Sequence, residues 1–258
     1  LPKTALTFLG SGDAFNAGGR AHSCYLLEDG DGSSCTVDFG ATALMALKRI
    51  GKHSAALSSV LLTHLHGDHF AGLPFLLIDG IFREVRGPLT IAGPIGVEDR
   101  VRTLSRTCYP DIFTDTLPFE LHFIEWQDDV EVTVDGRRVL PVPAIHQDLP
   151  ERAYSLRITR PGGRRLAFTG DTGWSERLPA LLDGADLFVA ECSQWDDAYD
   201  RHLGRADWAR LLPFLAGKRV AVAHLGEEAL AHRAELAQLA VAAGVDLTVA
   251  EDGLRLEL

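Results

Sequence analysis

Basic residues are scarce in this sequence: 25 Lys and Arg face 36 Asp and Glu, a formal charge of -11, and no block of basic residues occurs. A surface that grips nucleic acid by its phosphates is therefore not expected. Cysteine is equally sparse. Cys24, Cys35, Cys108 and Cys192 are scattered with no CxxC pair, which excludes a zinc ribbon and fits reduced thiols in a cytoplasmic protein better than a disulfide framework. The longest mainly apolar stretch, 73–81, contains Pro74, Asp79 and Gly80 and is far too short to cross a bilayer, so no membrane partner is expected. Leu1-Pro2-Lys3 lacks the charged and then apolar order of a signal region, and the numbering opens on Leu rather than Met. A GxSxG elbow is missing, which argues against a serine nucleophile. No linker-like tract or repeat divides the chain, and we expect one domain over 1–258. With 46% apolar residues over 258 positions the chain buries a core unaided, so any metal would serve chemistry rather than folding.

What is present is strand and helix in alternation. Short strands are predicted at 4–9, 23–28 and 35–38, a meander separated by Asp-Gly turns. Leu44, Leu47 and Ile50 have helical spacing closed by Gly51, and Val60-Leu61-Leu62 is a continuous apolar run expected of a strand covered on both faces. A helix is predicted over 69–82, a strand at 89–92 and a helix over 97–107. Strands follow at 120–126, 130–134, 138–142 and 154–160. The second half then alternates: strand 165–169, helix 174–182, strand 187–191, helix 205–215, strand 220–224, helix 227–243 and two closing strands. The order suits two mixed β-sheets packed face to face with helices on both outer faces, an α+β sandwich of αββα layers.

The chemistry concentrates at Thr63-His64-Leu65-His66-Gly67-Asp68-His69. Four candidate ligands lie within six residues, directly after a strand that should be buried. Imidazole with carboxylate is a borderline-to-hard donor set, suited to zinc first and to manganese or iron as alternatives. No thiolate ligand is implied.

Together with further motifs, this loop resembles the metallo-β-lactamase fold family of hydrolases. Gly10-Ser11-Gly12-Asp13-Ala14 is similar to the family's Gly-rich first loop. His146 follows a predicted strand, Phe168-Thr169-Gly170-Asp171-Thr172 offers a carboxylate after another, and Ala223-His224-Leu225 closes the set. The resemblance implies two divalent ions, one held by His64, His66 and His146, the other by Asp68, His69 and His224, with Asp171 bridging both. It implies a shared water, acidified toward pKa about 7, that serves as nucleophile as hydroxide. Glu191 and His202 look like the pair of the ribonuclease Z and cyclic phosphodiesterase branch. There the carboxylate orients the imidazole, which assists the departing oxygen while Asp68 accepts the water's proton. The interval from Gln147 through Gly170 is too short for the tRNA-gripping arm that ribonuclease Z proteins usually carry between the matching positions, so tRNA is not the expected partner. A small or cyclic phosphodiester is the expected substrate. Carboxyl-ester, lactone or thioester hydrolysis on the same fold is the competing activity, and a non-catalytic nucleotide- or RNA-binding protein the alternative of another class. A homodimer is expected from the resemblance alone. His22, Arg20 and Asn16 follow the first Gly-rich loop and are candidates to line the cleft, whereas His53, His122 and His232 and the four tryptophans are assigned to surface or packing roles.

Overall fold

The first three strands, β1 (Ala5–Gly10), β2 (Cys24–Glu28) and β3 (Ser34–Val37), pair antiparallel as the predicted meander in a computed structural model that describes residues 4–83, 85, 87–196 and 199–258. From β3 the chain passes through α1 (Ala43–Arg49) to β4 (Ser59–Leu61). It continues through α2 (Gly67–Phe70) and α3 (Leu73–Phe82) to β5 (Leu89–Gly93), then through α4 (Val97–Cys108) to β6 (Leu121–Glu125). Strands β3 to β6 are parallel, as crossovers of this length require.

A second sheet opens with another antiparallel run, β7 (Val132–Val134), β8 (Arg137–Pro143), β9 (Tyr154–Thr159) and β10 (Arg165–Phe168). Parallel strands follow: α5 (Leu178–Leu181) leads to β11 (Leu187–Cys192), α6 (Arg205–Leu215) to β12 (Arg219–Leu225), and α7 (Glu227–Ala231) with α8 (Arg233–Ala242) to β13 (Asp246–Val249). The last strand, β14 (Arg255–Glu257), returns to the first sheet beside β1. The two seven-stranded orders are β14-β1-β2-β3-β4-β5-β6 and β13-β12-β11-β10-β9-β8-β7, so each sheet is part meander and part crossover.

Side-chain alternation sorts each strand into two cores. Tyr25 and Leu27 of β2 meet Leu187 and Val189 of β11 between the sheets, while Cys24 and Leu26 face α1 to α4, and Phe188 and Ala190 face the helices of the other sheet. Burial on both faces is why these strands read as unbroken apolar runs. Trp126, fully buried, donates its indole N–H to the carbonyl of Leu62 (2.8 Å) and ties the end of β6 to the strand before the His-rich loop.

Three predicted helices differ. The one over 69–82 is divided into α2 and α3, because Gly72 runs against Gly40: a Cβ there would lie 2.3 Å from the Gly40 carbonyl oxygen. The one over 174–182 is reduced to α5, since Gly173 N–H is drawn to the carbonyl of Ile145 (2.8 Å) and Trp174 lies under the guanidinium of Arg210. The one over 227–243 breaks at His232, whose ring stacks on Trp195. Among the described residues no helix is long and apolar enough to cross a membrane.

Candidate metal centre

The candidate ligands gather at or just beyond the ends of strands of the two sheets. After β4, buried Leu65 pins the loop into the outer core, so His64 turns inward with no exposure, His66 stays at the surface and α2 presents Asp68 and His69. Segment 38–40 packs against this loop: Phe39 N–H donates to the His69 carbonyl and Gly72 N–H to the Phe39 carbonyl. A Cβ at Gly40 would lie 2.1 Å from the Asp68 carbonyl oxygen, so only glycine permits the approach. From the second sheet come His146 beyond β8, Asp171 after β10 and His224 within β12. His224 is skipped by the ladder, where Cys192 pairs with Leu225 rather than with its regular partner, and it adopts φ 52°. This bulge in the left-handed region turns its ring out of the sheet; its N–H donates to the carbonyl of Ser11 (2.8 Å).

The structure brings all seven together in two groups that share one oxygen. His64 Nε2 and His146 Nε2 lie 3.1 and 3.0 Å from His66 Nδ1. Asp68 Oδ2 lies 3.1 Å from His69 Nε2 and 3.2 Å from His224 Nε2, and those two nitrogens are 3.3 Å apart. Between the groups stands Asp171, its Oδ2 3.7 and 3.8 Å from His64 and His146 and 3.3 and 3.4 Å from His69 and His224.

The tautomers decide whether this set fits a cation. Thr63 Oγ1 donates to Asp38 and therefore accepts from His64 Nδ1 (3.1 Å). His69 Nδ1 donates to Asp38 (2.8 Å), His146 Nδ1 to the carbonyl of Arg201 (3.0 Å), and His224 Nδ1 to Ser193 Oγ (2.7 Å), which itself donates to Glu191 Oε2 (2.6 Å). With the Nδ1 proton of each committed outward, the Nε2 lone pairs of these four histidines converge with two carboxylates. Such a collection of unshared electron pairs repels itself unless a cation stands among it, and nitrogen and carboxylate oxygen are donors that zinc, manganese and iron accept. The residues fit divalent metal.

The electrostatics carry the same message. Burial, reinforced by neighbouring imidazoles, lowers the pKa of His64, His66 and His146 and keeps those rings neutral. Burial works the same way on His69 and His224, but the charges of Asp171 and Asp68 prevail and raise both. The two carboxylates resist burial's upward push and lie below the ordinary range because these imidazoles face them. A proton and a metal cation answer the same demand here.

Beside the centre, His202 Nδ1 lies 2.8 Å from Glu191 Oε1, and its ring centroid is 4.7 Å from that of His146. Burial disfavours its charged form, yet the Glu191 carboxylate outweighs it and the pKa is pushed up to about 9. Glu191, 2% exposed, also accepts from the backbone of Thr172 and Ser193, while the indole N–H of Trp208 donates to its main-chain carbonyl. Sequence reasoning assigned no role to Asp38, Thr63 and Ser193, the residues that set the imidazoles; the available signals were Thr63 directly before His64 and Ser193 two residues after Glu191. His22 and Arg20 do not line the cavity before the centre, and Asn16 instead donates to the Arg20 carbonyl (2.8 Å).

The β-lactamase superfamily domain model matches residues 35–225, about three quarters of the chain and the whole span from β3 to His224. The chain belongs to the metallo-β-lactamase superfamily. An uncharacterized protein of Mycobacterium tuberculosis is 32% identical over 190 residues, 73% of this chain and 67% of the relative. A ribonuclease Z of Natronomonas pharaonis is 26% identical over 267 residues, covering 85% and 86% of the two chains. Among solved structures, the metallo-β-lactamase fold protein YhfI from Bacillus subtilis superposes with a TM-score of 0.81 at 22% identity, over 100% of both chains. Membership in the superfamily makes the chain a metal-dependent hydrolase, and its paired seven-stranded sheets with outer helices are the superfamily's αββα sandwich.

Proposed function

We propose that the chain is a phosphodiesterase for small or cyclic phosphodiesters, with His64, His66 and His146 holding one divalent ion, Asp68, His69 and His224 a second, and Asp171 shared between them. Zinc is the proposed metal. When bound, such ions supply Lewis acidity, acidifying water and neutralising the non-bridging phosphoryl oxygens. The chain's own groups do the rest. Asp68 remains a carboxylate and accepts a proton from the attacking water. His202, on the wall of the cavity, presents its remaining ring N–H to the departing oxygen as the phosphorus–oxygen bond breaks. Glu191 accepts the Nδ1 proton, and its charge holds the ring as an imidazolium, so that the Nε2 proton is there to be given.

The observation that carries the choice of substrate is the Glu191–His202 pair beside the centre. A poor alkoxide leaving group needs a proton donor, and this pair supplies one in place. The short interval from 147 to 170, occupied by β9, β10 and their turn, supports a small substrate over tRNA. The ribonuclease Z relative, by its name a phosphodiester-cleaving enzyme, supports the bond type. Metal analysis together with turnover of bis(p-nitrophenyl) phosphate, 2',3'-cyclic nucleotides and a carboxyl-ester and thioester panel tests the reading. Turnover of the diesters with about two metal equivalents is expected; preferential turnover of the esters would replace the reading with a carboxyl hydrolase, and diester rates no better than free metal would end it.

A further inference from the structure

Resting on the phosphodiester reading, we infer that Phe15 and Tyr199 are specificity-determining residues that select a substrate carrying one phosphoryl group and a flat aromatic ring, the chemistry of a nucleoside cyclic monophosphate. Both line the cavity that opens onto the centre, whose volume of about 590 Å³ suits a ligand of mononucleotide size. Phe15 is 88% exposed and Tyr199 56% exposed. Phe15 stands in water beside a buried site, and Tyr199, tilted over the His202 ring with centroids 6.0 Å apart, leaves more than half of its surface open.

The backbones of both residues are held. The Asp13 carboxylate accepts from the N–H groups of Phe15 (3.1 Å) and Ala17 (2.9 Å), and Asn16 between them adopts φ 57°. Tyr199 N–H donates to Gln194 Oε1 (2.8 Å), and Gln194 Nε2 donates to the carbonyl of His202 (2.8 Å), so the Tyr199 segment is fastened to the residue proposed to assist the leaving group. Aromatic surfaces on anchored backbone stack a base with little further ordering cost.

Charge narrows the choice. Among the described residues lining the cavity there is no lysine or arginine, while Asp13, Glu227 and Glu228 are there. The arginines of adjoining loops are engaged: Arg20 donates to Ser11 Oγ (3.2 Å), and Arg201 pairs with Asp148 (3.0 Å). Phosphates beyond the one at the centre would meet carboxylates with no cation to offset them, which disfavours a polynucleotide or a polyphosphate. The same carboxylates accept hydrogen bonds from sugar hydroxyls or an exocyclic amine.

Calorimetric titration of the metal-loaded full chain with AMP, ribose 5-phosphate and ADP tests this. Wild type is expected to prefer AMP over ribose 5-phosphate by about tenfold or more, and Phe15→Ala and Tyr199→Ala each to cut that preference by about fivefold or more. Glu228→Lys is expected to raise ADP affinity relative to AMP by about threefold or more. Phe82→Ala, an exposed aromatic outside the cavity, keeps the preference. Equal binding of AMP and ribose 5-phosphate by wild type, or a preference that survives both aromatic substitutions with circular dichroism unchanged, overturns the inference. Hydrolysis of 2',3'-cyclic AMP separates it from the reading beneath. If the chain cleaves no diester yet loses base preference in the variants, the phosphodiester reading falls and the aromatic selection stands; if it cleaves the cyclic nucleotide while the preference survives, the reverse holds.

Discussion

The two sheets furnish the centre in opposite ways. The first gives one loop, 64–69, in which four ligand-type side chains are spaced so that three turn in and His66 stays at the rim. The second gives single residues from separate strand ends, His146, Asp171 and His224, each dependent on a different connection. Supporting contacts divide likewise: Asp38 serves Thr63 and His69 within the first sheet, whereas Glu191 serves Ser193 and His202 within the second. One half concentrates its chemistry in a short segment, and the other distributes it. A concentrated site tolerates the loss of one contact less visibly in its fold, while a distributed one is only as good as the register of several strands.

The sharpest test of that contrast is Asp171, whose Oδ2 lies within 3.8 Å of ring nitrogens in both groups. Asp171→Ala is expected to release both metal equivalents and to lower turnover by about 10³-fold or more, against loss of one equivalent in His66→Ala; elemental analysis with kinetics decides, and one retained equivalent in Asp171→Ala would assign the residue to one group only. Next comes Ser193→Ala, which strands His224 from Glu191. Metal affinity should fall about 10- to 100-fold with Ser193→Thr restoring most of it, as read by competition with a chelator dye.

A smaller effect is expected on the side of the concentrated loop. Gly40→Ala forces a methyl group onto the Asp68 carbonyl and should destabilise the fold by about 1–3 kcal/mol in denaturant titration, with weaker metal uptake. The smallest lies outside the site. Asp79, against burial that would raise it, is lowered to about 2 by Lys48, Ser54 and Arg83. An unfolded aspartate titrates near ~3.9, so this carboxylate's stabilising contribution is complete above roughly that pH and is lost as pH falls through about 2. Asp79→Asn should therefore flatten the acid limb of stability against pH; an unchanged limb would mean that other carboxylates set it.

The same contrast explains what could be read without coordinates. The loop 64–69 is legible because its ligand types are adjacent, and the both-face-buried strands are legible because their apolar runs are continuous. Asp171 and His224 stand in turn-like and strand-like contexts that betray nothing singly, and only likeness to a family groups them. The left-handed conformation of His224 has no compositional mark at all. Gly72 looks like a tolerable helical glycine, since its real constraint is the backbone of residue 40, distant in sequence. Phe15 and Tyr199 sit in polar loops, where an aromatic residue is unremarked until its neighbours prove to be acidic.

Asp171 Oδ2 lies within 3.8 Å of His64 and His69 from the first sheet and of His146 and His224 from the second. Occupancy of the centre is thereby linked to closure of the seam itself. Stripping the cations should loosen the loop-bearing rim first, so that amide protons at residues 62–70 and 169–173 exchange sooner while the interleaved Tyr25, Leu187 and Val189 remain guarded.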